Sequence, residues 1–144
     1  MEIGSKAYGK VEIREEDIFT FDSGIIGFED KKKYVLLGQS EENEILVWFQ
    51  SVEDENLAFV VIKPTVFRPD YQPKIHVDDL AGLDVGEDTS DLLVYTMVVV
   101  PEDINKMTAN LRAPLIMNKK NNKAKQIVLN DDTYQVKEPF FVNK

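Results

Sequence analysis

Cysteine is absent from the 144-residue chain, and histidine and tryptophan occur once each. Without cysteine there is no disulfide, no thiolate nucleophile, no zinc knuckle and no iron–sulfur cluster. The single histidine, His76, excludes most His-based metal sites and leaves one candidate for a Ser-His-Asp arrangement. Long apolar runs are missing too. The longest, Leu92 to Val100, is nine residues including Thr96, less than half of the roughly 20 a spanning helix needs. The opening Met1-Glu2-Ile3-Gly4-Ser5-Lys6 lacks a basic segment followed by an apolar one, so the expectation is a cytoplasmic protein with no membrane partner. Positive charge is in short supply, 17 Lys/Arg against 26 Asp/Glu for a net charge of −9. That balance argues against direct nucleic-acid binding, which needs clustered cations.

The deficit is uneven. Residues 1–111 carry 10 basic and 23 acidic side chains, whereas residues 112–144 carry 7 and 3. A body of net −13 thus precedes an end of net +4. Such a field favours basic partners, chiefly through association rate and rejection of wrong ones.

What is present is a series of short, β-branched or aromatic runs bounded by turn residues. Val11 and Ile13 alternate with charges, Phe19 and Phe21 flank Thr20, and Tyr34–Leu37 ends at Gly38. Ile45–Phe49 and Leu57–Ile62 enclose the acidic turn Glu53-Asp54-Glu55-Asn56, and Pro64 stops the second of them. Leu92–Val100 reads as a strand buried on both faces. Met107–Met117 has Leu111, Ala113, Leu115 and Met117 on one parity, Asn118–Lys123 reads as a hairpin loop, and Gln126–Leu129 and Tyr134–Val136 as further strands. Val77, Leu80 and Leu83, behind Asp78 and Asp79, predict one short helix over 77–83. The expectation is one all-β domain spanning 1–144, a mostly antiparallel barrel or sandwich with at most one or two short helices. Trp48 and Phe49 are adjacent on one strand and must face opposite ways.

Chemical motifs are few. Gly24-Ile25-Ile26-Gly27 matches neither dinucleotide nor Walker spacing, and reads as a tight turn using permissive backbone angles. Asp84–Asp91 holds four acids but fails the EF-hand pattern at positions three, six and twelve. His76 could act as a general base, yet no Gly-x-Ser-x-Gly elbow accompanies it. Lys31-Lys32-Lys33 and the run Lys119, Lys120, Lys123, Lys125 are the basic patches; the second is flanked by Asn rather than interleaved with aromatics, unlike a nucleic-acid platform. No cofactor and no metal site is expected.

Three stretches in order resemble the bacterial flagellar assembly factor FliW family. They are Phe19-x-Phe21-x-x-Gly24-Ile25-x-Gly27-Phe28-Glu29, then Gln50-Ser51 through Leu57-Ala58-Phe59-Val60-Val61-x-x-Pro64, then Asn110-Leu111-Arg112-Ala113-Pro114-Leu115-Ile116-Met117-Asn118 with Gln126–Leu129. Ile26 stands where the family commonly has proline, and Lys63 where a small or acidic residue is frequent. The resemblance implies a non-catalytic regulatory protein. FliW-like proteins bind and antagonise CsrA, an RNA-binding translational repressor of flagellin synthesis, and are themselves sequestered by flagellin. An export chaperone for flagellin is the alternative within the binding class, and a small all-β hydrolase using His76 the alternative outside it. The candidate protein-binding residues are Gly24, Ile25, Gly27, Phe28, Glu53, Asp54, Glu55 and Asn110.

Overall fold

The computed structural model describes residues 1–38, 46–85, 89–130 and 133–139. Its strands are β1 (Glu2–Ser5), β2 (Gly9–Glu12), β3 (Ile18–Phe21), β4 (Lys33–Leu37), β5 (Val47–Ser51), β6 (Ala58–Ile62), β7 (Leu92–Val99), β8 (Thr108–Ala109), β9 (Leu115–Asn118), β10 (Lys123–Gln126) and β11 (Glu138–Pro139). Among the described residues, seven of them close a ring in the order β7-β6-β5-β4-β3-β10-β9, with β9 returning to β7. Every neighbouring pair in the ring is antiparallel except β10 on β3, which is parallel. Closure leaves no free edge in the ring itself. The all-β expectation holds, and of the two architectures left open it is the barrel that forms.

Alternation sorts the side chains. Phe19, Phe21, Tyr34, Leu36, Phe49, Val61, Tyr95, Leu115 and Met117 fill the interior. Tyr34 stacks on Phe49 at 5.0 Å, and Phe21 meets both rings edge-on at 5.7 Å. Each fully buried ring of this kind contributes about 1.5–3 kcal/mol of transfer free energy. Two further layers cover the outside. The β1–β2 hairpin packs Ile3 and Ile13 on Val35. The connections around Tyr71, Leu83, Ile127, Leu129 and Tyr134 pack on Leu111 and Ile116.

The structure departs from the sequence reading in several places. Residues 77–83 do not form an α-helix; Val77–Leu80 is a 3₁₀ turn, and the chain leaves it at Gly82 with φ +90°. Leu92–Val100 is covered on both faces as far as Val98: Leu93, Tyr95 and Met97 pack on the interior cluster, and Leu92, Val94 and Val98 on outer ones; only Val99 and Val100 are exposed. Met107–Met117 is not one strand. Asn110 Oδ1 accepts hydrogen bonds from the N–H groups of Arg112 and Ala113 at 3.2 and 3.1 Å, and this turn separates β8 from β9. Leu111, Ala113, Leu115 and Met117 are all buried, but so are Pro114 and Ile116 on the other parity, and Leu111 packs with Ile116 in the outer layer while Leu115 and Met117 face the interior. The returning strand pairs three residues earlier than expected, and the last pairing is Glu138–Pro139 rather than Tyr134–Val136. Strand β1 had no signal beyond Ile3 and was not anticipated. Phe49 points into the core and Trp48 outward, as their adjacency requires. Ile45 and the Gln39–Glu44 stretch lie outside the described residues, as does part of Asp84–Asp91.

Candidate binding surface at one end of the barrel

The pairing register decides which loops meet. Thr20 pairs with Lys33, Tyr34 with Ser51, Gln50 with Ala58, Val60 with Val98 and Gln126 with Leu115. The β3–β4 loop, the β5–β6 turn and the chain between β7 and β9 therefore emerge at the same end. All eight candidate residues, Gly24, Ile25, Gly27, Phe28, Glu53, Asp54, Glu55 and Asn110, lie in these three segments. The Lys119–Lys123 hairpin belongs to the opposite end, and His76 lies in the 63–91 connection between β6 and β7.

The β3–β4 loop is built on two left-handed glycines. Gly24, at φ +72°, donates its N–H to Phe21 O at 2.9 Å, and a Cβ there would stand 2.5 Å from Glu29 Cα. Only glycine fits that approach. Gly27, at φ +90°, faces open space and donates its N–H to the Glu29 carboxylate at 3.1 Å. Between them Ile25 is wholly buried and serves the loop from inside. The side chains presented outward are Ile26, 59 % exposed, and Phe28, 38 % exposed. Phe28 meets Phe59 edge-on at 5.1 Å, and Phe59 in turn lies 5.9 Å from Tyr34, so the exposed ring is anchored to the interior aromatic stack.

The acidic turn is held from below by Gln50, which is buried. Its amide nitrogen donates to Ser51 O, Asp54 O and Leu57 O at 3.0–3.2 Å, and its oxygen accepts from Lys6 N–H at 2.9 Å. The Ser51 hydroxyl accepts the N–H groups of Glu53 and Asp54. Glu53 reaches across to the β3–β4 loop, accepting the N–H of Lys32 at 2.6 Å and of Lys33 at 3.0 Å. The Lys32 N–H is the main reason its carboxyl lies below the ordinary range, with Lys33 N–H and the nearby lysine charges adding to it against partial burial. Asp54 accepts from Asn56 N–H at 3.0 Å, and Glu55 is exposed beside Gly4.

Asn110 and the β3–β4 loop are joined by a residue the sequence reading did not single out. Gln126 Oε1 accepts from Ile26 N–H at 2.9 Å while its Nε2 donates to Ala113 O at 3.3 Å, and Ala113 N–H is held by Asn110. Gln50 interrupts an otherwise apolar run, Ile45–Phe49, whereas Gln126 ends the polar strand Lys123–Gln126 and carries no such signal. Across the two loops, six carboxylates (Asp22, Glu29, Asp30, Glu53, Asp54, Glu55) accompany two lysines, Lys31 and Lys32. Both are engaged locally, Lys31 with Asp30 at 3.3 Å and Lys32 with Asp22 O at 2.9 Å. The end thus presents an apolar pair, Ile26 and Phe28, within an acidic surround.

Elsewhere, His76 is exposed and its backbone N–H donates to the Asp79 carboxylate at 3.0 Å. Among the described residues no group of three or more His, Asp or Glu is placed to hold a metal ion, and no helix is long and apolar enough to cross a membrane. Lys123 is paired with Asp84 at 2.6 Å.

The family model described as "FliW protein" matches residues 2–140. A flagellar assembly factor FliW of Treponema denticola is 47 % identical over 137 residues, covering 95 % of this chain and 91 % of its own length. The protein of the same name from Caldanaerobacter subterraneus subsp. tengcongensis is 42 % identical over 139 residues, covering 96 % and 92 %. A crystal structure of the flagellar assembly factor FliW superposes with a TM-score of 0.88 at 32 % identity, covering 100 % of this chain and 99 % of that one.

Proposed function

The chain belongs to the FliW family, and from that premise we propose that it is a cytoplasmic, non-catalytic binding protein of flagellar assembly. It binds and antagonises the translational repressor CsrA, relieving repression of flagellin synthesis, and flagellin sequesters it in turn. The docking face is the barrel end that carries Ile26, Phe28, Glu53, Glu55 and the Asn110 turn. The observation that carries this reading is the meeting of three loops, distant in sequence, around an exposed apolar pair ringed by carboxylates. Apolar anchors supply affinity at the centre of an interface, and the acidic surround steers a basic RNA-binding partner. The partner switch follows from linkage: preferential binding to RNA-free CsrA shifts repression by the difference in affinity for its two states.

The test is reconstitution with purified CsrA and a flagellin leader RNA. The expected result is a complex at low salt that releases the RNA and weakens as salt rises. No complex with either CsrA or flagellin at low salt contradicts the proposal. In cells, deletion of this gene lowers flagellin synthesis and loss of CsrA restores it; a failure of that rescue favours a flagellin chaperone instead.

A further inference from the structure

The opposite end of the barrel opens into a cavity of about 630 Å³, within the size of small-molecule sites, which favour the mouths of β-barrels among other places. Its floor is the interior end of the barrel, Phe19 and Leu36, with Tyr95 beside them. Tyr95 is only 4 % exposed, and its hydroxyl has no hydrogen-bond partner among the described residues. No side-chain polar atom among them is both buried and unsatisfied, so that hydroxyl is accessible from the cavity its residue lines. Like any tyrosine the hydroxyl carries its proton at neutral pH, and burial raises its pKa further.

The rim has a further asymmetry. Its acids are already engaged: Glu12 holds the Met1 ammonium at 2.8 Å, and Glu16 and Asp17 hold Arg14 at 3.6 and 3.4 Å. Its two lysines have no carboxylate partner among the described residues. Lys63 Nζ lies 5.9 Å from the centre of the Tyr95 ring, and Lys119 also lines the opening. The hydroxyl of a buried tyrosine and two rim lysines without a carboxylate partner among the described residues make a donor set without an acceptor.

We propose that this mouth binds a small organic carboxylate, its acid group received by Lys63, Lys119 and the Tyr95 hydroxyl and its apolar body lying on Phe19 and Leu36. The polar rim and compact floor suit a short aromatic or branched acid rather than a long acyl chain. The site lies at the far end of the barrel from the proposed docking face, so its occupant does not compete for that face directly.

Benzoate is the probe, titrated into the ¹⁵N-labelled full chain and followed by amide shifts, with benzylamine as the reverse-charge control. Saturable shifts are expected at Phe19, Leu36, Lys63 and Tyr95, with benzylamine binding at least about fivefold more weakly. Removing one donor, by Tyr95→Phe or Lys63→Gln, weakens benzoate about two- to tenfold. Lys119→Gln does the same at an exposed position where folding is not at stake. The proposal is overturned if those amides do not shift saturably, if benzylamine matches benzoate, or if Lys119→Gln and Lys63→Gln leave the affinity unchanged.

Discussion

Gln126 holds Ile26 across 100 residues of sequence: its side-chain oxygen accepts the Ile26 N–H at 2.9 Å while its amide donates to Ala113 O. One side chain thereby ties the exposed tip of the β3–β4 loop to the Asn110 turn. Replacing it by alanine frees the Ile26 N–H and the Ala113 carbonyl together. The expected cost is about 1–2 kcal/mol, with faster amide exchange at Ile26 and little change at β1 and β2. Unchanged Ile26 exchange contradicts the tie.

The two loop glycines separate steric from conformational need. Gly24→Ala places a Cβ 2.5 Å from Glu29 Cα at φ +72° and costs well above the about 1–2 kcal/mol of left-handed backbone alone. Gly27→Ala, with open space around it, costs only about that conformational term. Denaturant unfolding of both variants is the check; equal losses contradict the assignment.

Glu53 makes the clamp between loop and turn sensitive to acid. Its pKa is lowered on folding, first by the Lys32 N–H. The contribution to stability is therefore present above the unfolded carboxyl's range and lost as pH falls through the lower folded value. Because the carboxyl is largely exposed, screening keeps this below about 1 kcal/mol. Glu53→Gln lowers stability at neutral pH and flattens its decline as pH falls through and below the ordinary glutamate range, read from urea midpoints across that fall. A slope identical to the parent's contradicts the role.

Phe28 should divide stability from binding. Truncation to alanine forfeits the ring pair with Phe59, about 0.5–1.5 kcal/mol, and removes an anchor from the docking face. The expected pattern is a fold that survives and a complex with CsrA weakened at least about fivefold. Loss of stability with full retention of binding contradicts its place in the interface.

Much of this was legible in the residues. Alternation gave Phe19 and Phe21 as one inward pair, because side chains two apart on a strand share a face, whereas the run Tyr34–Leu37 and the adjacent Trp48 and Phe49 left open which of their residues face the interior. In 107–117, which is broken by the Asn110 turn, the odd positions are buried, but Pro114 and Ile116 are buried too, so one parity did not mark one face. The helix over 77–83 failed because an apolar spacing of three fits a 3₁₀ turn as well as an α-helix over so short a span. Closure was not legible, since β10 meets β3 in parallel, Lys123 beside Thr20 and Ala124 beside Phe21, a distant pairing that no local pattern encodes. For the same reason the sequence pointed to the loop 24–28 but chose Ile25, which the fold buries, over Ile26, which it exposes. Gln50 and Gln126, which hold the surface together, carry no motif.

Calorimetric titration of CsrA into the parent protein and into Ile26→Asp tests the proposed docking face most directly. The substitution alters an exposed side chain while keeping the backbone N–H that Gln126 holds. The outcome consistent with docking at this end is an unchanged unfolding midpoint and an affinity reduced at least about tenfold, with the parent complex weakening as salt rises. Binding of Ile26→Asp with the parent's affinity contradicts it.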